Sequence, residues 1–348
     1  MWLLRTNDLQ EYSMEQSRPS ISIRELELGY SLGCALLPKF SVDAHLGELI
    51  ALVGRNGIGK STLLRSIIGL QQPLCGDILI EGTRLAALMR KQRAKTISFV
   101  PAEPVRVANL FIRDFVAVGR FPHLNWSRAL SPSDWEMVDY ALTLVGINHL
   151  AHRDITTVSD GERQRAMIAF ALAQDTRIII LDEPTAFLDL PNKFEMVRLL
   201  SNLAHAKGKT IVYSTHDLQG AIHEADTIWM MLKSGLTSGA PEDLALSNSF
   251  QNLLADTHVV FDGDSGLFRN YRKPTKSIAL EGNGIVRTWT ARMLDRIGFN
   301  TQEPEHSKVK VTCTYENDNP CWIVTEAENL AFKAYSLGQL AEKLRRIQ

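Results

Sequence analysis

The chain has 348 residues, of which 45% are hydrophobic and 22% are charged, and its formal net charge is −1. This composition is typical of a soluble globular protein and excludes a disordered or fibrous one. The near-zero charge gives no basic field that would attract nucleic acid or anionic lipid, so we expect no nucleic acid partner. No apolar run approaches the roughly 18 residues that span a bilayer, and "MWLL" is too short for a signal-peptide core. We therefore expect a cytosolic protein.

The first part of the chain predicts a leader followed by an α/β domain. Residues 1–20 are polar and aperiodic, which indicates a flexible leader, and Met14 is an alternative start. From "ISIRELELGY" onward the residues alternate as in a strand. Further β-rich runs follow in "GELIALVG", "DILIEG", "KTISFVP", "RIIILDEP" and "KTIVYSTHD". Several are nearly all apolar, as in strands buried on both faces, and helical stretches separate most of them. A largely parallel central sheet is therefore predicted.

Two further regions depart from this alternation. Between "ISFVP" and "IIILDEP" the pattern is helical for some seventy residues, which predicts a helical subdomain at about 103–165 within a domain spanning 21–262. After the turn "DGDSG" and the polar stretch "YRKPTKS" the order of elements restarts, which predicts a small α/β C-terminal domain over 263–348. We see no catalytic constellation there. Its cysteines, Cys313 and Cys321, either face each other across a hairpin or are two reduced core thiols, and we favour the second interpretation.

A phosphate-binding loop (P-loop) follows one of the buried strands. "GRNGIGKST" matches G-x-x-x-x-G-K-[ST] between a β-rich run and a helical one. The glycines let backbone N–H groups turn inward around a phosphate, which a Cβ would obstruct. Lys60 is placed to reach the β- and γ-phosphates, and the Ser61 hydroxyl is placed to ligate Mg²⁺. The candidate nucleotide-binding residues are Gly54, Arg55, Asn56, Gly57, Gly59, Lys60, Ser61 and Thr62.

The run "IIILDEP" supplies the acidic half of a nucleotide site. Asp182 ends a buried strand and is expected to hold Mg²⁺ through its second shell. Glu183 follows it, where a carboxylate would polarise an attacking water. Two solvated acids at a strand end are the alternative, and the P-loop earlier in the chain favours the catalytic interpretation.

These residues resemble those of the ATPase subunit of an ABC transporter over residues 21 to about 262. "VSDGE" resembles the signature sequence of that family, which is usually written LSGGQ. The resemblance implies a homodimer of ATPase subunits arranged head to tail. In such a dimer Ser159, Asp160, Gly161 and Glu162 start a helix that meets the γ-phosphate of the ATP held by the partner copy. Charge-assisted bonds at a helix N-terminus suit that anion.

Three further family positions follow from the same resemblance. Tyr30, in "LELGY", stands where an aromatic side chain stacks on adenine. His216, in "STHD", stands where a histidine contacts the γ-phosphate. Asp189, in "AFLDL", belongs to the loop that crosses the dimer interface. Each of the three is weak alone and gains specificity from the order and spacing of the set.

Two positions differ from the family pattern. Asp160 stands where the signature usually has glycine, and we expect its carboxylate to turn back, as a helix N-cap, onto an N–H group two or three residues further on. Ala102 stands where the family has a glutamine that reaches Mg²⁺ or the attacking water. Removing such a polar group typically costs roughly 10²–10³ in rate. The adjacent Glu103 is the candidate replacement, and a simply solvated Glu103 is the alternative.

The stretch "VGRFPH" indicates the subgroup and its partners. It resembles a segment of the ATPases that drive import of iron–siderophore, haem or vitamin B12, where it faces the membrane subunits. The resemblance implies ATP and Mg²⁺ as cofactors and two membrane-spanning permease subunits as partners. It places the protein in the cytoplasm, peripheral on the inner face of the plasma membrane. An amphipathic helix end with core phenylalanines is the alternative.

Other functions stay open at this point. A soluble ABC ATPase of translation or iron–sulfur assembly is one, although the translation type usually carries two ATPase halves in one chain. A nucleotide-gated regulator with an ATPase slowed by Ala102 is another, and a P-loop kinase is a weak third. The C-terminal domain is a sensor, a dimer-stabilising module or an inert appendage, and we favour a packing or dimerisation domain.

Overall fold

The structure is a computed structural model that divides into two compact units. It describes residues 18–29, 35–124, 129–255, 257–263, 265–271, 276–302, 307–327 and 329–346. The first unit runs to Ala255 and includes Phe261–Leu267, and the second comprises Asp256–Val260 and Phe268–Gln348. The predicted boundary at residue 262 lies in the stretch where the two units alternate along the chain. Within the described residues, no helix is both long enough and apolar enough to cross a membrane.

The strands are, in chain order, β1 (Ile21–Glu27), β2 (Phe40–Ala44), β3 (Leu49–Gly54), β4 (Cys75–Ile80), β5 (Thr83–Arg84), β6 (Ile97–Val100), β7 (Ile178–Leu181), β8 (Thr210–Ser214), β9 (Thr227–Leu232), β10 (Gly235–Gly239), β11 (Val259–Asp262), β12 (Leu267–Asn270), β13 (Lys276–Glu281), β14 (Phe299–Gln302), β15 (Val309–Glu316), β16 (Asn319–Glu326) and β17 (Asn329–Ala334).

The α-helices are α1 (Lys60–Ile67), α2 (Arg90–Thr96), α3 (Ile112–Ala117), α4 (Pro132–Leu144), α5 (Asp160–Ala173), α6 (Leu190–His205), α7 (Leu218–Glu224), α8 (Pro241–Leu246), α9 (Ser249–Leu253), α10 (Gly284–Arg296) and α11 (Leu337–Arg346). Short 3₁₀ segments cover Leu85–Ala87, Val118–His123 and Asn148–Leu150.

A six-stranded sheet of order β10-β9-β3-β8-β7-β6 forms the centre of the first unit. Strands β9, β3, β8, β7 and β6 run parallel, and β10 pairs antiparallel with β9. β7 and β8 are buried along their whole length, as their continuous apolar runs predicted. The predicted α/β domain with a largely parallel central sheet is confirmed. Its strand order brings the carboxyl ends of β3, β8 and β7 side by side.

An antiparallel sheet of order β2-β1-β4-β5 shares its core with the central sheet. The apolar residues of the alternating pattern in "ISIRELELGY", Ile21, Ile23, Leu26 and Leu28, are all buried. They pack in one cluster with the apolar faces of β3 and α1. The larger buried members of that cluster include Ile21, Ile23, Leu26, Ile50, Leu52, Leu63, Leu64 and Trp229.

The helical stretch of the first unit comprises α3, α4 and α5, so it extends through α5 beyond the predicted end near residue 165. Phe115 of α3 stacks on Phe170 of α5, with 5.3 Å between ring centroids. Between α3 and α4 lies the 3₁₀ segment Val118–His123, which carries the "VGRFPH" stretch. A Cβ built on Gly119 would lie 2.4 Å from the Phe170 carbonyl oxygen. Glycine therefore allows this segment to approach the backbone of α5.

Replacing Gly119 with alanine tests that close approach. Because the obstructing atom belongs to a helix backbone, we expect Gly119→Ala to destabilise the first unit by roughly 1–3 kcal/mol. Urea unfolding followed by circular dichroism measures the change. Gly239→Ala is the matched control, because a Cβ there would meet only Leu244 at 3.6 Å. Equal stability of the two variants would contradict the packing argument.

The second unit has its own sheet and core. Its five strands have the order β14-β13-β15-β16-β17, with β13 parallel to β14 and β15 and the other pairs antiparallel. Helices α10 and α11 pack apolar residues, including Leu294 and Leu344, in one cluster with sheet residues such as Trp322 of β16. Cys313 pairs with Trp322, and Cys321 pairs with Thr314, so the two cysteines point to opposite faces of the sheet. The facing pair is therefore excluded, and both thiols are free.

Candidate functional site

The P-loop connects β3 to α1 and encloses the Lys60 ammonium. Gly57 and Gly59 have φ angles of +78° and +113°, which residues with a Cβ rarely adopt. The buried Lys60 Nζ donates a hydrogen bond to the Gly54 carbonyl at 2.9 Å. Burial lowers the pKa of Lys60, and the carboxylates of Glu183 and Asp182 act in the opposite direction. The Lys60 ammonium therefore lies inside the loop and interacts electrostatically with the two acids, while its reach to the phosphates stays a prediction.

Asp182 and Glu183 are held by a residue that the sequence analysis did not single out. The Ser214 hydroxyl donates to Asp182 Oδ1 at 2.7 Å and accepts from the Glu183 N–H at 2.9 Å. Asp182 is buried, and Glu183 has φ of +50°, in the left-handed region. The two acids therefore stand at the carboxyl end of β7, directly beside the end of β8.

His216 lies in the loop that follows β8, and its side chain contacts Glu183. Its Nε2 lies 2.5 Å from Glu183 Oε1, and both side chains are partly exposed. The rest of "STHD" shapes the turn, because the Thr215 hydroxyl accepts from the Asp217 N–H at 3.0 Å. Asp217 in turn caps α7 by accepting from the Gly220 N–H. A histidine and two carboxylates thus meet beside the P-loop lysine.

The signature residues form the N-terminus of α5, with a different cap from the one predicted. Ser159 is the N-cap, and its hydroxyl accepts from the Glu162 N–H at 3.3 Å. The Glu162 carboxylate accepts in return from the Ser159 N–H and hydroxyl, both at 2.8 Å, and these bonds lower its pKa. This reciprocal pair is a capping box. Gly161 lies in the first turn next to Asn192, and a Cβ there would make an ordinary contact with that side chain at 3.7 Å.

The predicted N-cap role of Asp160 is wrong. Asp160 is the first residue inside α5, and its carboxylate pairs with the guanidinium of Arg163 one turn later. Arg163 is buried and also donates to the carbonyls of Ile155 and Val158, at 3.0 and 2.8 Å. The carboxylate is drawn to Arg163 because a fixed guanidinium is a stronger partner than a backbone N–H already engaged in the capping box.

The remaining predicted positions lie around these two groups. Asp189 caps α6, and its carboxylate accepts from the Asn192 N–H at 3.1 Å and side-chain amide at 2.7 Å. Ala102 follows β6, and the adjacent Glu103 side chain is exposed. Tyr30 lies outside the described residues. The structure thus brings Lys60, Asp182, Glu183 and His216 together, and gathers the signature residues with Asn192.

A second candidate region surrounds the 3₁₀ segment Val118–His123. Arg120 pairs with the buried Asp134 of α4 at 2.9 Å and donates to the Ala173 carbonyl at 2.8 Å. His123 Nε2 lies 2.9 Å from the Gln174 carbonyl. These contacts fasten the segment to the C-terminal end of α5. Phe121 points outward with 59% of its surface exposed.

The ion pair of Arg120 and Asp134 gives this region a defined pH dependence. The Ser131 hydroxyl and N–H donate to the Asp134 carboxylate, and together with Arg120 they lower the pKa of Asp134 to about 2. A carboxylate whose folded pKa is depressed stabilises the fold above its unfolded pKa, and that stability is lost as pH falls through the folded value.

Asp134→Asn tests this pairing. We expect the variant to lose roughly 1–3 kcal/mol of unfolding free energy at pH 7. The difference from wild type should shrink as pH falls from 3.8 towards 2. Denaturant unfolding at several pH values measures it. Asp77→Asn, whose partner Arg84 is exposed, is the control and should change stability by less than about 0.5 kcal/mol. A pH-independent difference for Asp134→Asn would contradict the pKa argument.

The fold and this first site define a P-loop nucleotide-binding ATPase, and comparison with known proteins identifies its family. Residues 37–186 match the family model described as ABC transporter. Residues 275–345 match the one described as Iron ABC transporter C-terminal domain.

Curated relatives match most of the first unit. The petrobactin import ATP-binding protein FpuD of Bacillus anthracis is 37% identical over 226 residues, which are 65% of this chain and 82% of the relative. The achromobactin transport ATP-binding protein CbrD of Dickeya dadantii is 36% identical over 247 residues, covering 70% and 91%. The ferric enterobactin transport ATP-binding protein FepC of Escherichia coli is 32% identical over 251 residues, covering 72% and 92%.

Solved structures agree with this assignment. A metal-chelate type ABC transporter in an inward-facing conformation superposes with a TM-score of 0.60 at 29% identity, covering 68% of this chain and 88% of that one. A dimeric bacterial ABC transporter cassette superposes with a TM-score of 0.57 at 25% identity, covering 64% of this chain and 98% of that one. The chain belongs to the ABC transporter family, and it is an ATP-binding subunit that couples ATP hydrolysis to transport.

Proposed function

We propose that the chain is the ATPase subunit of an importer for an iron–siderophore, haem or cobalamin-type solute. The observation that carries the proposal is the pair of family matches in one chain, an ABC ATPase unit followed by an iron ABC transporter C-terminal domain. Relatives named for petrobactin, achromobactin and ferric enterobactin support the iron–siderophore class within this group. The same names do not favour a translation factor, an iron–sulfur assembly ATPase or a kinase.

In this proposal the P-loop holds the phosphates of ATP, with Tyr30 on the adenine. Gly54 to Thr62 wrap the phosphates, and Lys60 neutralises them. The residues present fit Mg²⁺, because the buried Asp182 carboxylate and the Ser61 hydroxyl offer oxygen atoms, which this ion prefers; Ser61 would be a ligand, and Asp182 would hold the ion indirectly. Within the described residues no group of three or more His, Cys, Asp or Glu could hold a metal alone. When bound, Mg²⁺ would neutralise charge on the phosphates.

Glu183 and His216 are the proposed catalytic pair. The Glu183 carboxylate would accept a proton from the attacking water. His216, 2.5 Å away, would contact the γ-phosphate and fix the carboxylate. Because Lys60 lies beside both acids, developing charge on the γ-phosphate meets a cation that is already in place.

The signature is proposed to act on the ATP of a second copy. Ser159 and the Gly161 N–H would donate to that γ-phosphate, and Asp189 would lie in the loop at the interface. The Ser159 hydroxyl donates to Glu162 in this structure, so binding the phosphate requires it to exchange one acceptor for another. The solved cassette to which the chain is similar is dimeric, which supports a homodimer.

The "VGRFPH" region is proposed to face two permease subunits on the inner side of the plasma membrane. Phe121 is exposed while Arg120 and His123 hold the segment in place. A cleft of about 750 Å³ adjoins it through Gln174. Its lining includes Leu70, Arg90, Arg93, Phe99, Phe170 and Gln174. An exposed aromatic side chain and a cleft lined by apolar residues and arginines suit the cytoplasmic helices of a membrane protein.

Glu103 is proposed to do the work of the glutamine that Ala102 replaces. We expect Glu103→Ala to lower kcat for ATP by roughly 10²-fold, because a preorganised polar group is lost. Glu103→Gln should retain most of the activity, since an amide oxygen serves as ligand or acceptor. Steady-state ATPase assays measure both variants, with Glu242→Ala of the first turn of α8 as control. Unchanged turnover in Glu103→Ala would contradict this role and show that Glu103 is simply a solvated side chain.

The transport assignment is tested by co-purification. A tagged Glu183→Gln protein should bind Mg-ATP, turn it over at least about 10²-fold more slowly than wild type, and keep the closed dimer. Isolated from detergent-solubilised host membranes, it should bring down a multi-span permease in stoichiometric amount. Lys60→Ala, which cannot hold ATP, is the control and should recover less permease. Recovery of ribosomes or an assembly scaffold instead would refute the importer assignment.

A further inference from the structure

Ser214 stands at the point where the two halves of the ATP site meet. It is the last residue of β8 and is fully buried. β7 and β8 run in parallel register with Leu181 opposite Tyr213, which puts Asp182 opposite Ser214. On its other side β8 pairs with β3, where Leu52 is opposite Ser214. The residue therefore lies between the strand that leads into the P-loop and the strand that ends in the acids.

The single hydroxyl of Ser214 contacts both acidic residues. It donates its proton to Asp182 Oδ1 at 2.7 Å and accepts the Glu183 N–H at 2.9 Å. One oxygen of Asp182 is thereby fixed, and the carboxylate cannot rotate without breaking a buried hydrogen bond. The second contact fixes the peptide unit that joins Asp182 to Glu183.

That peptide unit is under conformational constraint. Glu183 has φ of +50°, a left-handed conformation that is unfavourable for a residue with a Cβ. Such conformations persist where surrounding contacts over-determine them, and they cluster at functional sites. Ser214 supplies one of these contacts at the Glu183 amide, His216 supplies another at the carboxylate, and the Ala186 N–H donates to the Glu183 carbonyl at 3.0 Å.

We propose that Ser214 is a positioning residue for ATP hydrolysis. Its hydroxyl holds Glu183 in the left-handed conformation that aims the carboxylate at His216, and it orients Asp182 towards the nucleotide-bound Mg²⁺. The inference rests on the proposed function of this site. The competing explanation is that Ser214 only satisfies buried polar groups and contributes stability.

Ser98→Ala provides a matched comparison for Ser214→Ala. Ser98 is a buried β-strand serine whose hydroxyl accepts from Thr176 at 3.0 Å, at the opposite end of β7 from Asp182. Both substitutions delete one buried, hydrogen-bonded hydroxyl from the central sheet. They differ in whether that hydroxyl contacts the two acids.

The experiment compares both variants with wild type in three measurements on the full-length protein. For Ser214→Ala we expect kcat for Mg-ATP to fall roughly 10- to 100-fold, because small misplacement of reacting groups has effects of that size. The affinity of Ser214→Ala for ADP in EDTA should equal that of wild type. Added Mg²⁺ should raise its affinity for ADP by less than it raises that of wild type. A crystal structure should show residue 183 relaxed to negative φ. Ser98→Ala should lose thermal stability while its kcat and Mg²⁺-dependent ADP affinity stay at the wild-type level.

Two further variants complete the test. Ser214→Thr restores a hydroxyl and should recover activity relative to Ser214→Ala. If Ser214→Ala fails to fold, Ser214→Cys, with its weak S–H donor, is used and should show an intermediate kcat. Wild-type kcat and Mg²⁺-dependent ADP affinity in a folded Ser214→Ala or Ser214→Cys would overturn the proposal. If wild type itself hydrolyses no ATP, the proposed function fails instead, so the two failures are distinguishable.

Discussion

The parallel register of β3, β8 and β7 is the constraint on which the ATP site depends. These strands come from three parts of the chain, and their carboxyl ends meet at one edge of the sheet because all three run in the same direction. The edge receives a glycine loop from β3, two acids from β7 and the "STHD" turn from β8. A shift of one residue in the pairing of β7 with β8 would turn Ser214 away from Asp182, since successive side chains of a strand point to opposite faces.

The N-terminus of α5 shows how an acidic residue is tolerated where a phosphate is expected to bind. A helix start favours anions through its free N–H groups and its dipole. A carboxylate free to move there would compete with the phosphate. Arg163 removes that competition by holding Asp160 from inside the helix, and Arg163 is itself fixed by two carbonyls. The departure from the family signature therefore comes with a structural compensation.

The sequence analysis found the parts of the site that have a local signal and missed those that depend on tertiary contacts. The P-loop could be predicted because its glycine spacing, preceding strand and following helix are all continuous in sequence. Ser214 could not, because its importance comes from the register of two strands whose paired residues are 32 positions apart. The partner of the Asp160 carboxylate depends on which of several nearby donors binds it most strongly, and the spacing in the sequence alone favoured a helix cap. For Cys313 and Cys321 the favoured interpretation of two reduced thiols is confirmed, and the alternative hairpin pair is excluded because residues displaced by one position from exact opposition point to opposite faces.

Helix α5 joins the two candidate regions of the first unit. Its N-terminal turn carries the signature residues, and its C-terminal end is fastened to Arg120 and His123 through the Ala173 and Gln174 carbonyls. Its 14 residues give a rod of about 21 Å. It is buried along most of its length and packs on α3 through stacked aromatic rings, so bending it would break core contacts. In the proposed importer, a permease bound at Phe121 and a partner nucleotide bound at Ser159 would act on opposite ends of one stiff helix. Displacing either end would then move the other, so in that proposal the closed ATPase dimer and the state of the permease would be coupled through α5 without any change in its internal structure.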